Sequence, residues 1–248
     1  VKILRRGDRA AIGVVVPAGN TAVEAEFHEL APEGVSYHFS RIPGDLPKSS
    51  MAKGLASLSF EAVEAAAREL AEARVKMIGF ACTSFSFYGG SKRNKEITQR
   101  MKEATDTDVV TTSESAVDAL KKVGGRKITV CTPYPDDVTL ELKKFLESQG
   151  FLVLAAQGFS KEKSIAHETV TALPASSLRK FVKQTYVPGS DCCFISCTDL
   201  RALDSIDALE KELGIPVISS NQATAWNLLR ATGIDDKFEG FGSLFSAH

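Results

Sequence analysis

The chain has 248 residues, 44% of them hydrophobic and 25% charged, with a formal net charge of −1. That length supplies core for one large or two small domains. The near-neutral balance excludes a global field that would recruit nucleic acid or an acidic membrane surface.

The opening stretch "VKILRRGDRAAIGVVVP" places basic residues before an apolar run. The run is short, stops at Pro17 and lacks a cleavage site, so it reads as a first strand and not as a targeting signal. The β-branched "AIGVVVP" has the signs of a buried strand. A helix follows "VPAGNTAVEAEF", with Thr21 placed to cap it. The stretch "SFEAVEAAARELAEARV" has helical spacing and precedes the strand "KMIGFACTS". The helix "SKRNKEITQRMKEAT", the strand "DVVTTS" and the glycine-closed helix "SAVDALKKVGG" complete a first round. The second round runs through the strand "KITVCTPYPDD", the helix "VTLELKKFLESQG", the strand "FLVLAAQ" and the helix "PASSLRKFVKQTY". It ends with the strand "DCCFISCTD", a helix around "ALEKELG", the strand "IPVISSN" and the helix "QATAWNLLRATG". Strands alternating with helices predict an α/β fold with parallel sheets covered on both faces. No segment approaches the roughly 20 apolar residues that a membrane span needs.

The two rounds match. The first opens strand–Pro17–x–x–Asn20, the second strand–Pro133–x–x–Asp136. "GFACTS" in the first answers to "FISCTD" in the second, with Cys82 following Pro17 by 65 positions and Cys197 following Pro133 by 64. Further on, "VVTTSESAVDALKKVGG" parallels "VISSNQATAWNLLRATG". This predicts two pseudo-twofold lobes, residues 1–118 with Cys82 and 119–248 with Cys197, the chain termini free to cross between them. Each cysteine then stands at the C-terminal end of an equivalent strand. Those ends face the ligand crevice in parallel α/β sheets, so Cys82 and Cys197 are expected on opposite sides of one cleft.

A thiol is both a nucleophile and an acid, and its pKa of about 8.5 falls at a helix N-terminus. Both cysteines are placed at strand-to-helix junctions, where backbone N–H groups can bind an oxyanion. Two thiols flanking a substrate can divide proton transfer or covalent addition between them without a cofactor. A lone cysteine ending an apolar strand is ordinarily a small core hydrophobe; the matched pair is what favours catalysis. Cys131, Cys192 and Cys193 are read as core residues, the last two pointing to opposite faces of their strand. Five cysteines are too few for a disulfide scaffold and cannot all pair, which fits a reducing cytoplasm. Without CxxC or a nearby histidine, a zinc site from Cys192, Cys193 and Cys197 is not expected. His28, His38, His167 and His248 fall outside the motifs, and no glycine pattern supports nucleotide binding.

Among neutral donors at strand tips, Asn20 can offer its amide to a carboxylate or simply cap the helix. The Tyr134 hydroxyl can reach a substrate oxygen or pack beside two prolines. Asn221 reads as a turn or cap residue. Arg41 and Arg201 could balance a dianion, though no spacing selects them.

On "IGVVVPAGNTAVEAEF", "ACTSFSFYGG", "TPYPDD", "FISCTDLRALDSIDALEKELGIPVISSNQATAW" and "LLRATGI", nearly the whole chain resembles the aspartate/glutamate racemase superfamily. The resemblance is to its maleate cis–trans isomerase and arylmalonate decarboxylase branch. It implies two α/β lobes, a cleft between them and no cofactor or metal. It implies Cys82 as nucleophile or base, Cys197 as acid partner, and Asn20, Thr83, Ser84, Tyr134 and Thr198 as the residues that hold substrate carboxylates. Arylmalonate decarboxylases usually have glycine where Cys82 stands, which disfavours decarboxylation. Maleate isomerases typically carry an asparagine where "GFSKEKSIAHET" places Glu162, a departure that also brings the ectoine-utilisation branch into view. The expected activity is cofactor-independent cis–trans isomerisation of a small dicarboxylate, maleate to fumarate in type, with amino-acid racemisation by two-thiol proton transfer as the alternative. The expected partner is that small dicarboxylate or amino acid, with no nucleic acid and no membrane. Assembly into a homo-oligomer stays open.

Overall fold

A computed structural model describes residues 7–43, 50–56, 59–160 and 166–248; Glu162 lies outside the described residues. The first half runs β1 (Ala10–Pro17), α1 (Ala22–Glu29), β2 (Val35–Ile42), α2 (Met51–Ala56), α3 (Phe60–Glu72), β3 (Met77–Phe80), α4 (Thr83–Phe87), α5 (Gly90–Thr105), β4 (Val109–Thr111) and α6 (Thr112–Lys122). The second runs β5 (Lys127–Thr132), α7 (Asp136–Ser148), β6 (Leu152–Gly158), α8 (His167–Thr171), α9 (Ala175–Thr185), β7 (Cys192–Ile195), α10 (Leu203–Leu213), β8 (Val217–Ser219) and α11 (Ser220–Ala231), and α12 (Ser243–Ala247) closes the chain.

The strands form two four-stranded sheets, ordered β2-β1-β3-β4 and β6-β5-β7-β8, and every pairing in both is parallel. The ladders repeat in register. Ile12 pairs with Met77 in the first sheet, and the equivalent Ile128 pairs with Cys192 in the second. Helices cover both faces, so β1 is a nearly unbroken buried apolar run from Ala10 to Val16, as parallel sheets require.

In each sheet the chain leaves the central strand first to one side and then to the other. The gaps between the C-terminal ends of β1 and β3, and of β5 and β7, are therefore topological switch points, where ligands bind in open α/β sheets. Asn20 follows β1 and Cys82 follows β3; Tyr134 follows β5 and Cys197 follows β7.

The halves interlock through their last helices. α6 and α11 lie side by side, α11 also packs on β3 and β4, and α6 packs on β8. Leu228 of α11 comes so close to β3 that a Cβ built on Gly79 would lie 2.7 Å from it. Both helices begin with the same device. Thr111 caps α6 in a reciprocal box with Glu114, and Ser219 caps α11 in one with Gln222, each satisfying two backbone donors that a helix start leaves free.

Candidate active site

Cys82 and Cys197 each stand two residues beyond the end of their strand, and both are buried, each 7% exposed. Their surroundings differ. Cys82 leads directly into α4, with the Phe85 N–H directed at its sulfur and the Ser84 hydroxyl 4.0 Å away. Cys197 was expected at a similar junction, but it opens a turn closed by the Leu200 N–H on the Cys197 carbonyl, and α10 begins only at Leu203. The Asp199 N–H donates to the Cys197 sulfur at 3.4 Å. The Leu203 N–H that opens α10 donates to Glu26 Oε1, which satisfies a helix-start donor from the other lobe.

Burial pushes the Cys82 thiol up to about 11, offset in part by the Phe85 N–H and the Ser84 hydroxyl and reinforced by the charge of Asp199. Burial pushes Cys197 well above the usual thiol range, with the Asp199 charge as second cause and the Asp199 N–H and Tyr134 hydroxyl opposing. The charge of Cys82 is a further, smaller cause of the rise at Cys197.

Tyr134 lies between them. Its ring packs against Phe87 with centroids 5.8 Å apart, and its backbone is pinned by Thr132 and Thr139. The buried hydroxyl has no well-formed hydrogen bond among the described residues. It is held in the neutral form by burial first and then by the neighbouring Cys197 and Cys82 sulfurs, with Ser196 close by. A buried hydroxyl near two sulfurs can donate its proton to a substrate oxygen.

Asn20 caps α1, the second of the two readings offered for it. Its Oδ1 accepts from Ala22 N at 2.9 Å and Val23 N at 3.0 Å, while Thr21, expected as the cap, makes no side-chain cap bond. The shorter reach of Asn20 to the second and third N–H groups after it decides this. With Oδ1 fixed by two donors, Nδ2 must face the cleft, where it donates to Thr198 Oγ1 of the other lobe at 3.2 Å. Thr198 therefore keeps its own hydroxyl proton for another acceptor. Thr83 Oγ1 donates to Ser220 Oγ at 3.0 Å, and the Cys197 N–H donates to that same Ser220 oxygen at 3.1 Å. Arg41 does not face a dianion: it holds the Ala18 and Asn20 carbonyls and Glu24. Arg201 is exposed.

Sequence reasoning missed two residues. Ser220 reads as part of a helix start and ties the Cys197 backbone to Thr83. Glu26 reads as a solvated residue of "VEAEF", yet it is 4% exposed and reaches the second lobe. Its carboxylate accepts from Leu203 N at 2.9 Å and Asn221 Nδ2 at 2.7 Å. Burial pushes it up to about 7 despite those donors and the Ala202 N–H, with Glu29 adding to the rise. Asn221, expected as a turn or cap residue, is the second residue of α11 and also donates to the Thr198 carbonyl at 3.0 Å.

The remaining cysteines belong to the core. All five are free thiols. Cys193 and burial together push Cys131 up, while Cys192, on the other face of β7, lies beside Gly125. Among the described residues no three His, Cys, Asp or Glu side chains gather to hold a metal ion, and no helix is long and apolar enough to cross a membrane.

A sequence profile of the arylmalonate decarboxylase family matches residues 12–245. Arylmalonate decarboxylase from Bordetella bronchiseptica is 29% identical over 252 residues, covering 98% of this chain and 99% of the relative. Maleate isomerase from Pseudomonas putida (strain KT2440) is 26% identical, covering 95% and 96%. Among solved structures, a mutant of Nocardia farcinica maleate cis–trans isomerase with a covalently bound succinylcysteine intermediate superposes with a TM-score of 0.86 at 22% identity, covering 96% of this chain and 99% of that one.

Proposed function

Since the chain belongs to the arylmalonate decarboxylase family, we propose that it is a cofactor-independent cis–trans isomerase of a small dicarboxylate of the maleate type. The observation that carries this reading is the buried pair Cys82 and Cys197, each two residues beyond the end of an equivalent strand, with the buried Tyr134 hydroxyl near both sulfurs. A binding protein has no need of two matched thiols, and the reaction has a use for both. The Pseudomonas relative is a maleate isomerase, and the Nocardia structure carries a succinyl group on cysteine.

The Cys82 thiolate adds to one alkene carbon, forming an S–C bond while the π pair moves to the other carbon and into its carboxylate. Cys197 delivers its proton to that carbon, giving a succinyl thioether in which the former double bond rotates. Cys197 then takes a proton back, the double bond re-forms and Cys82 leaves as thiolate, so atoms and charge balance. The Phe85 N–H directed at the Cys82 sulfur and the nearby Ser84 hydroxyl favour its thiolate, which suits Cys82 to act as nucleophile and Cys197 as the acid.

Neutral donors hold the carboxylates: Asn20, Tyr134, Ser84, the free Thr198 proton, and Thr83 when Ser220 turns its own proton toward it. Such donors stabilise the charge that builds on a carboxylate during addition. The five free thiols suit a reducing cytoplasm.

The test is mass analysis with maleate. Cys197→Ala should accumulate an adduct of the diacid's mass on Cys82, and Cys82→Ala should form none and produce no fumarate. Absence of an adduct, with solvent deuterium entering the α-position of aspartate or glutamate, would establish racemisation instead. Release of CO2 from an arylmalonate by Cys82→Gly would place decarboxylation within this site's reach.

A further inference from the structure

The two half-sites are equivalent in the repeat, but their cysteine loops are held differently. Ser113 and Asn221 occupy the same position, second in α6 and second in α11. Each reaches the carbonyl of the residue after its cysteine: Ser113 Oγ donates to Thr83 O at 3.4 Å, and Asn221 Nδ2 to Thr198 O at 3.0 Å. Behind Ser113 stands Ser86, which bonds both Thr83 O, at 3.0 Å, and Ser113 Oγ, at 2.6 Å. That support is neutral and lies within the first half. Behind Asn221 stands Glu26, which comes from the opposite half.

The second arrangement demands a carboxylate. Asn221 Nδ2 serves two acceptors, Glu26 Oε2 and the Thr198 carbonyl, so the amide cannot turn without setting oxygen against oxygen. Glu26 Oε1 meanwhile accepts the Leu203 N–H at the start of α10. A side chain that accepts from both donors through two different oxygens is a carboxyl group, and the chain carries Glu here. A glutamine would set its NH2 group against one of those donors.

We infer that Glu26 is a positioning residue for the Cys197 half-site: through Asn221 and the start of α10 it fixes, from the opposite lobe, the turn that carries Cys197 and Thr198. Its consequence for turnover rests on the two-thiol reading. Its consequence for the Cys197 loop does not. Within its own half the Cys82 loop is held by Ser86 and Ser113, and the Thr83–Ser220 bond joins it to the second lobe at a point that Glu26 does not bond.

The experiment compares wild type with Glu26→Gln and Glu26→Asp. It measures native-state alkylation of each cysteine by iodoacetamide with peptide mass mapping, circular dichroism, and maleate kinetics. A loop freed from one buried anchor opens more often, so Cys197 should alkylate roughly tenfold faster in Glu26→Gln. Cys82 should stay within about twofold of wild type by the same reasoning. Glu26→Asp keeps the charge and should lie between. Ser113→Ala should do the reverse, loosening Cys82 and not Cys197. With maleate, kcat should fall more than KM rises. Proportional acceleration of both thiols, following global stability, would reduce Glu26 to a structural residue, and unchanged Cys197 labelling would overturn the inference. If Glu26→Gln does not fold, the selective effect on Cys197 in Glu26→Asp carries the same decision. Should wild type fail to turn over maleate, the proposed activity falls, and the alkylation pattern still decides the role of Glu26.

Discussion

Burial pushes both cleft thiols up, Cys82 to about 11, so the neutral pair dominates near pH 7 and the nucleophilic form is scarce. Raising the pH through the alkaline range should populate the Cys82 thiolate and raise kcat/KM by about tenfold per pH unit, because rate follows the thiolate fraction. A pH–rate profile on maleate from 7 to 9.5 checks this. A flat profile would mean that Cys82 is already ionised in the free enzyme. The pair itself was legible in the sequence, because the repeat set two cysteines at matching points after equivalent strands. Asn20 was legible as a cap, and the structure shows what its other end does: its oxygen faces the helix and its nitrogen bonds Thr198 of the other lobe. Glu26 and Ser220 were not legible. Their partners lie in the opposite half of the chain, and nothing local in "VEAEF" or "ISSNQ" marks a contact at that separation.

Helix α1 carries Glu26 on a buried face, and its carboxylate has consequences for the stability of the element. Its pKa is raised from the ordinary value of 4.5 to about 7 in the folded state, so between those values the folded protein binds the proton more tightly than the unfolded chain. Stability from this group is therefore greatest below about pH 4.5 and declines as pH rises to about 7, by on the order of 3 kcal/mol at most. Melting curves at pH 5 and pH 8 should show a larger fall in Tm for wild type than for Glu26→Gln, which cannot titrate. Equal falls would show that Glu26 stays ionised throughout. At this scale most elements could be read from periodicity, and the misses have physical causes. β2 is an edge strand with one face partly exposed, and its Ser, His and Arg interrupt the apolar pattern. α4 is five residues of "TSFSF", a composition that favours strand by propensity; its buried contacts with α5, α6 and α7 override that preference. After Cys197 a turn closed by the Leu200 N–H takes the place of the expected helix start, and Glu26 caps α10 from the other lobe further on.

Over the whole molecule, the repeat that was visible as matched spacing becomes two sheets of equivalent strand order, with Asn20 after β1 bonded to Thr198 after β7. Neither half is closed by itself. α11 lies on the first sheet, Leu228 against the backbone of Gly79. Thr224 and Thr112 join α11 to α6 at 3.0 Å. A chain cut in the turn between Gly124 and Gly125, which sits outside both sheets, should accordingly give two fragments that expose apolar helix faces when produced apart. Mixed in equal amounts they should reassociate and regain turnover, readable as activity that rises with the product of fragment concentrations. Activity from either fragment alone would contradict the interlock. Lobes joined in this way exchange a piece of their cores, so the cleft opens and shuts only as far as that shared helix pair can bend. The reach between the two sulfurs is then set by a shared helix pair and not by a hinge, so the separation of Cys82 and Cys197 is fixed by the fold before any ligand arrives.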